Sequence, residues 1–305
     1  MRIKFWGVRG SIPTPGESTV RYGGNTACTE LHLDAEDSAH RNGNLIILDA
    51  GTGIRNLGNQ LMKDGKNINA HILITHPHWD HIQGFPFFRP AFVPGNKLTI
   101  VGPEAKGVKL AELIAEQMNK IYFPVNLSEL EAEIDFIPMK EDTINVQGAK
   151  VQSFFVNHPG FTIGYRISYN NKSLAYVSDN EPFSEETAHL FTNGEAEVLK
   201  LFREYHGDPN DRVRDFIKGV DVLIHDTTYT PEQYGDHIGW GHSHYLHTLR
   251  LAFEAGVKTL FLFHYDPSLT DKDVDDMVAR SNREMKKLNY SFKLCAAKEG
   301  LEFKF

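Results

Sequence analysis

Short runs of Val, Ile, Leu and Phe, bounded by Gly, Pro, Asn or Asp, recur along the chain and alternate with segments of longer apolar period. The runs predict strands at 3–6, 29–33, 45–48, 71–75, 98–101, 151–156, 162–168, 174–177, 222–224 and 259–263. Ile54, Leu57, Leu61 and Met62 share one helical face, as do Leu110, Leu113, Ile114 and Met118. A third helix is expected from about His244 to Ala255, closed by Gly256 as its C-cap. The early strands follow one another closely, and helices intervene later. That order points to a sandwich of sheets covered by helices, not to a doubly wound sheet. One domain is expected over 1–305, with the polar, charge-rich stretch 185–218 as a helical insertion or covering element.

Chemistry collects where the apolar runs stop. The run at 71–75 leads into His76-Pro77-His78-Trp79-Asp80-His81, and the run at 151–156 leads to His158. Later runs deliver Asp179, Asp226 and His264. If these strand ends share one edge, their side chains converge on one cleft. Imidazole nitrogen and carboxylate oxygen are the ligand atoms that zinc, manganese and iron accept. In the His-x-His-x-Asp-His cluster, His76 and His78 project from a turn in one direction and can share an ion. Asp80 and His81, at the start of the next helix, face a neighbouring one. The bland reading is a chance group of exposed histidines, and the density of the cluster outweighs it.

The chain resembles the metallo-β-lactamase superfamily over nearly its whole length. Leu48-Asp49-Ala50-Gly51-Thr52-Gly53 is similar to the family's early aspartate turn, and Thr75 through Gly84 to its signature loop. His158, Asp179 and His264 match the later ligands in order. The resemblance implies a four-layer αβ/βα sandwich, an α+β arrangement of two sheets with helices outside. It implies two divalent metal ions, zinc first with manganese or iron as alternatives. One would sit on His76, His78 and His158, the other on Asp80, His81 and His264, with Asp179 between them and Asp49 orienting a ligand histidine.

Within the superfamily, His225-Asp226-Thr227-Thr228-Tyr229, Gly241-His242-Ser243 and Phe263-His264-Tyr265-Asp266-Pro267 resemble the phosphodiesterase branch that includes ribonuclease Z and the cyclic-phosphate phosphodiesterases. The likeness implies a metal-dependent hydrolase in which hydroxide held between two ions attacks phosphorus. Asp80 and Asp179 would orient it, His242 would act as general acid and Asp226 would hold the His242 ring. His244 stands where the branch carries threonine, with His247 one turn on, and their roles are open. Tyr22-Gly23-Gly24-Asn25-Thr26 is either a substrate-facing loop or ordinary turn chemistry. Phe85, Phe87 and Phe88 are expected in the core, unless one borders the cleft and stacks on a base.

Charge and length then narrow the substrate. Asp and Glu total 40 against 32 Lys and Arg, a formal charge of −8, which disfavours a long nucleic acid as partner. About 20 residues separate His158 from Asp179, and two strands fill them. The long arm that transfer-RNA processing enzymes of this branch carry there has no room. A small phosphodiester is therefore expected: a cyclic nucleotide, a cyclic dinucleotide or a related cyclic phosphate. A transfer-RNA 3′ endonuclease and a lactonase or thioesterase on the same metal frame are the alternatives. The two cysteines, Cys28 and Cys295, and the absence of a signal-peptide core or membrane-length apolar run suit the cytoplasm. A homodimer is the expected form of any assembly. The stretches 104–130 and 185–218 are candidate lids or dimer contacts.

Overall fold

The computed structural model describes residues 1–33, 45–104, 107–184 and 207–305. The first half supplies β1 (Arg2–Gly7), β2 (Cys28–His32), β3 (Leu45–Leu48), β4 (Asn69–Leu73), β5 (Lys97–Gly102) and β6 (Glu133–Pro138). The second half supplies β7 (Thr143–Val146), β8 (Ala149–Phe155), β9 (Ile163–Tyr169), β10 (Lys172–Val177), β11 (Val222–Asp226), β12 (Thr259–Phe263), β13 (Lys293–Ala296) and β14 (Glu302–Lys304). They form two seven-stranded sheets, ordered β14-β1-β2-β3-β4-β5-β6 and β13-β12-β11-β10-β9-β8-β7. The helices are α1 (Gly53–Leu61), α2 (Trp79–Ile82), α3 (Leu110–Glu116), α4 (Pro209–Phe216), α5 (Pro231–Tyr234), α6 (Tyr245–Glu254) and α7 (Asp271–Leu288).

The central strands are apolar on both faces because each face meets a different layer. On β3, Ile46 and Leu48 join the core shared by the two sheets, whereas Leu45 and Ile47 pack with Ile54 and Leu57 of α1 and Ile114 of α3. On the far side, Leu249 and Ala252 of α6 and Val274 and Met277 of α7 close over the second sheet. This is the expected αβ/βα sandwich. Strands β3 to β6 are mutually parallel, and so are β10 to β13. Strand β8 also runs with β10, since both are antiparallel to β9. The carboxyl ends of β3 and β4 in one sheet, and of β8, β10, β11 and β12 in the other, carry the chemistry-bearing residues.

Four strands and the longest helix among the described residues escape the apolar pattern. β6, β7, β13 and β14 lie at or next to sheet edges and are only partly covered, so little burial marks them. The helix α7 buries just Val274, Met277, Ser281 and Met285 among many charges. Its start is nevertheless written locally, since Thr270 and Asp273 form a reciprocal capping box. Of the expected insertion, 185–206 lies outside the described residues, and 207–218 contains α4. Among the described residues no helix is long and apolar enough to cross a membrane.

Candidate metal centre

The turn after β4 and the loop after β8 bring three imidazoles together. His78 Nδ1 lies 2.9 Å from His76 Nε2 and 3.0 Å from His158 Nε2. The opposite nitrogens are tied down. Thr75 Oγ1 donates to Asp49 Oδ1, so it accepts from His76 Nδ1 at 3.0 Å. His158 Nδ1 donates to the Gly241 carbonyl at 2.8 Å. Both rings therefore present an Nε2 lone pair inward, which is the tautomer a metal ligand needs. His76 and His158 are buried, and His78 stands exposed at the mouth.

A second group forms where α2 meets the end of β12. His264 Nε2 lies 3.3 Å from His81 Nε2 and 3.1 Å from Asp80 Oδ2. Asp179, at the end of β10, places Oδ1 3.2 Å from His81 Nε2 and Oδ2 3.4 Å from His264 Nε2. The same Oδ2 is 3.8 Å from both His76 and His158 Nε2, so Asp179 stands between the groups. His264 Nδ1 reaches Thr228 Oγ1, whose hydroxyl donates to the His264 carbonyl. That leaves the His264 Nε2 inward too.

Asp49 is the buried hub beneath both groups. It accepts from Thr75 N, Thr75 Oγ1, Tyr176 Oη and His81 Nδ1, at 2.8 to 3.0 Å. Among the candidate ligand histidines, the one hydrogen-bonded to Asp49 is His81. Asp49 has φ 59°, and reaches this position by leaving β3 through a left-handed turn.

Beside the two groups, Asp226 Oδ2 accepts from His242 Nδ1 at 3.1 Å. Asp226 is itself fixed by the backbone N–H groups of Ser243 and Asn180. His242 lines, with Ser11, His78, Asp80, His158 and Asp179, a cavity of about 510 Å³. Burial alone would lower the His242 pKa, but the hydrogen bond and charge of Asp226, with Asp179 and Asp80 behind, raise it to about 9.

Several supports were invisible in the sequence. The buried Glu181 accepts from Gly239 N, Gly241 N and Tyr234 Oη, and so sets the loop whose carbonyl holds His158. Gly10 passes so close to His264 that a Cβ would stand 2.4 Å from the ring. Ser11 N donates to Asp80 Oδ2 at 2.7 Å. The fully buried Arg9 ties this loop to the carbonyls of Gly23, Asp266 and Leu269. In Tyr22-Gly23-Gly24-Asn25-Thr26 the turn reading holds, because the Asn25 carboxamide is spent on Glu299 and Thr52. His244 caps α6, and neither it nor His247 lines the metal-side cavity.

The donor set fits divalent cations. His76, His78 and His158 form one candidate ligand group, and Asp80, His81, Asp179 and His264 another; within each, ligand atoms lie within 4.8 Å of one another. Asp179 Oδ1 is buried, and no hydrogen-bond donor is aligned with it. Burial raises the pKa values of Asp80 and Asp179, yet the surrounding histidines hold both well below the carboxylate range. Burial, reinforced by neighbouring imidazoles, holds His76 and His158 well below the usual histidine value, hence neutral. For His81 burial acts in the same direction, but Asp179, Asp80 and Asp49 overcome it and push the value up. Three buried carboxylates around one ring demand positive charge, which divalent cations would supply.

Residues 44–200 match the family described as the beta-lactamase superfamily domain. Ribonuclease Z of Metallosphaera sedula is 30% identical over 274 residues, covering 80% of this chain and 85% of its own. The chain belongs to the metallo-β-lactamase superfamily, in its ribonuclease Z-like branch. Ribonuclease Z of Thermoplasma acidophilum is 26% identical, with 90% and 89% covered. Human tRNase Z, short form, shares the fold with a TM-score of 0.61 at 16% identity, over 100% of this chain and 99% of its own. The chain is a metal-dependent hydrolase. These likenesses favour the ribonuclease Z alternative over the small cyclic phosphodiester expected from charge and loop length.

Proposed function

We propose that this superfamily member is a two-metal phosphodiesterase. His76, His78 and His158 hold one ion, Asp80, His81 and His264 hold the other, and Asp179 serves both. Zinc suits this nitrogen and oxygen donor set, with manganese or iron as alternatives. Bound ions would supply Lewis acidity and lower the pKa of water at neutral pH. The observation that carries the proposal is the Asp226–His242 pair on the wall of the ligand cavity. Asp226 pins His242 Nδ1–H, which leaves Nε2 as the atom that hands a proton to the departing oxygen. Asp80, steadied by Ser11 N–H, and Asp179 orient the attacking water.

The names of the curated relatives support an RNA phosphodiester, cut in the manner of a transfer-RNA 3′ endonuclease, as the substrate. A second reading, a small phosphodiester such as a cyclic nucleotide or cyclic dinucleotide, is favoured by one observation. β9 and β10 are joined directly by Asn170 and Asn171, both left-handed, so no arm extends between His158 and Asp179. The zinc- or manganese-loaded protein is tested on a transfer RNA with a 3′ trailer, cyclic mono- and dinucleotides, bis-p-nitrophenyl phosphate and a lactone. Phosphodiester cleavage is expected, with steep salt dependence if RNA is the substrate. His242→Ala is expected to keep its metal and lose about 10²- to 10⁴-fold in kcat. Hydrolysis of the lactone alone would refute the proposal.

A further inference from the structure

A second cavity of about 700 Å³ lies between α2 and α3. Pro77 and Trp79 line both it and the metal-side cavity, so the two adjoin. Its walls are aromatic. Trp79 is 78% exposed, Tyr122 82% and Phe87 55%. Phe85 and Phe88, on either side of Phe87, are fully buried, so only Phe87 of the three turns outward. Its ring meets Phe123 edge-on, with centroids 5.3 Å apart. Aromatic side chains grouped this openly beside a cleft mark a binding surface. Among the described residues lining the groove there is no Lys or Arg, and Glu116 is its one charged group. A phosphate is disfavoured there, and a neutral planar ring is suited. Gln117 also lines the groove, and its Nε2 is buried without an acceptor.

We infer that this groove is a base subsite: it takes the heteroaromatic base of a nucleotide substrate, stacked on Trp79 and Tyr122, while the phosphate lies among the metal ligands. The inference rests on the phosphodiesterase reading and adds to it the part of the substrate that the ligand groups leave undefined. Stacking of one base on aromatic side chains is worth roughly 5- to 150-fold in binding. It tolerates any base, because every base offers a π-face. Trp79 and Tyr122 are surface residues, so alanine in their place leaves the core intact.

The test uses the zinc-loaded protein and two probes that share ribose and phosphate, adenosine 5′-monophosphate and ribose 5-phosphate, with binding read by calorimetry. The nucleotide is expected to bind at least about 10-fold more tightly than the sugar phosphate, and Trp79→Ala with Tyr122→Ala to abolish that ratio. Trp79→Phe is expected to restore part of it. Equal binding of the two probes, or a ratio that survives both alanine substitutions, overturns the subsite and leaves the phosphodiesterase reading standing. If neither probe binds and no phosphodiester is cleaved, both fall. Turnover of 3′,5′-cyclic AMP and of a transfer RNA with a 3′ trailer then separates the sources of the base. The substrate whose kcat/KM drops about 10-fold in the alanine variants is the one whose base occupies the groove, and a drop for neither refutes the inference.

Discussion

Replacing Asp49 by asparagine removes one charge and converts one of its two buried acceptor oxygens into a donor. Asp49 Oδ2 receives His81 Nδ1–H and the Tyr176 hydroxyl, and Oδ1 receives two donors from Thr75. With the NH₂ at the Oδ2 position, His81 Nδ1–H and the Tyr176 hydroxyl lose their acceptor; with it at Oδ1, Thr75 N–H does, while Thr75 Oγ1 keeps Oδ2 at 3.1 Å. If the new NH₂ faces His81, the ring must shift its proton to Nε2, the atom that faces Asp80, Asp179 and His264. Breaking a buried charged pair in this way costs about 3–5 kcal/mol of stability. Loss of an orienting partner behind a ligand histidine costs roughly 10- to 100-fold in metal affinity. We expect Asp49→Asn to retain the ion on His76, His78 and His158 and to lose the second on dialysis, read as metal per chain by mass spectrometry. Tyr176→Phe removes one donor and leaves the carboxylate, so it should cost about 1–2 kcal/mol in urea unfolding and leave metal content unchanged. An Asp49→Asn protein that holds two ions as tightly as the parent would refute the assignment of Asp49 as the support of His81.

Gly241 has φ +89°, and a Cβ there would stand 2.3 Å from His158 Nδ1. Gly241→Ala should displace that ring, cost about 1–3 kcal/mol through backbone strain, and weaken the His76–His78–His158 site at least 10-fold in zinc titrations. Chelation should lower the melting temperature, and zinc returned at 100 times its Kd should recover about 2.7 kcal/mol; identical melts with and without chelator would count against a metal centre. Glu30 is buried against His32 Nε2 at 2.5 Å and Trp6 Nε1 at 2.7 Å. Burial raises its pKa, but those partners and Arg2 hold it below the usual value. Its contribution to stability is therefore present above the ordinary glutamate range and lost as pH falls through the folded value. Glu30→Gln should be destabilised by about 1–3 kcal/mol at pH 7, and the gap to the parent should narrow below about pH 4.5 in urea titrations.

The interior of the sandwich was legible because strands covered on both faces are continuously apolar: Leu45–Leu48 and Thr259–Phe263 stand where the pattern puts them, residue for residue. At the rims the same physics gives no signal. Glu133–Pro138 has only Ile134 and Phe136 turned toward the covering helix layer and ends on a proline, as an edge strand tolerates. The helix Asp271–Leu288 covers the sheet with a narrow stripe, so charge dominates its sequence, and its capping box was the one local mark of its start.

The candidate site divides along a different line. His76, His78, Asp80, His81, His158, Asp179 and His264 could be picked out as candidate ligands because such side chains announce their own chemistry, and the structure brings them together. Glu181, Gly10, Gly241 and Ser11 could not, because what they contribute is made by or through the backbone. Ser11 supplies an N–H, Gly241 a carbonyl, and Gly10 the room for a ring; a glutamate that accepts from two glycine N–H groups looks in sequence like any surface acid. Such residues hold the imidazoles in one tautomer and one orientation, which the ligand types alone leave free. The ordering of substitutions follows from this. Changes at ligand positions should remove ions outright, whereas changes at Gly10 or Gly241 should leave every donor present and still weaken binding, since the donors would no longer point at a common centre.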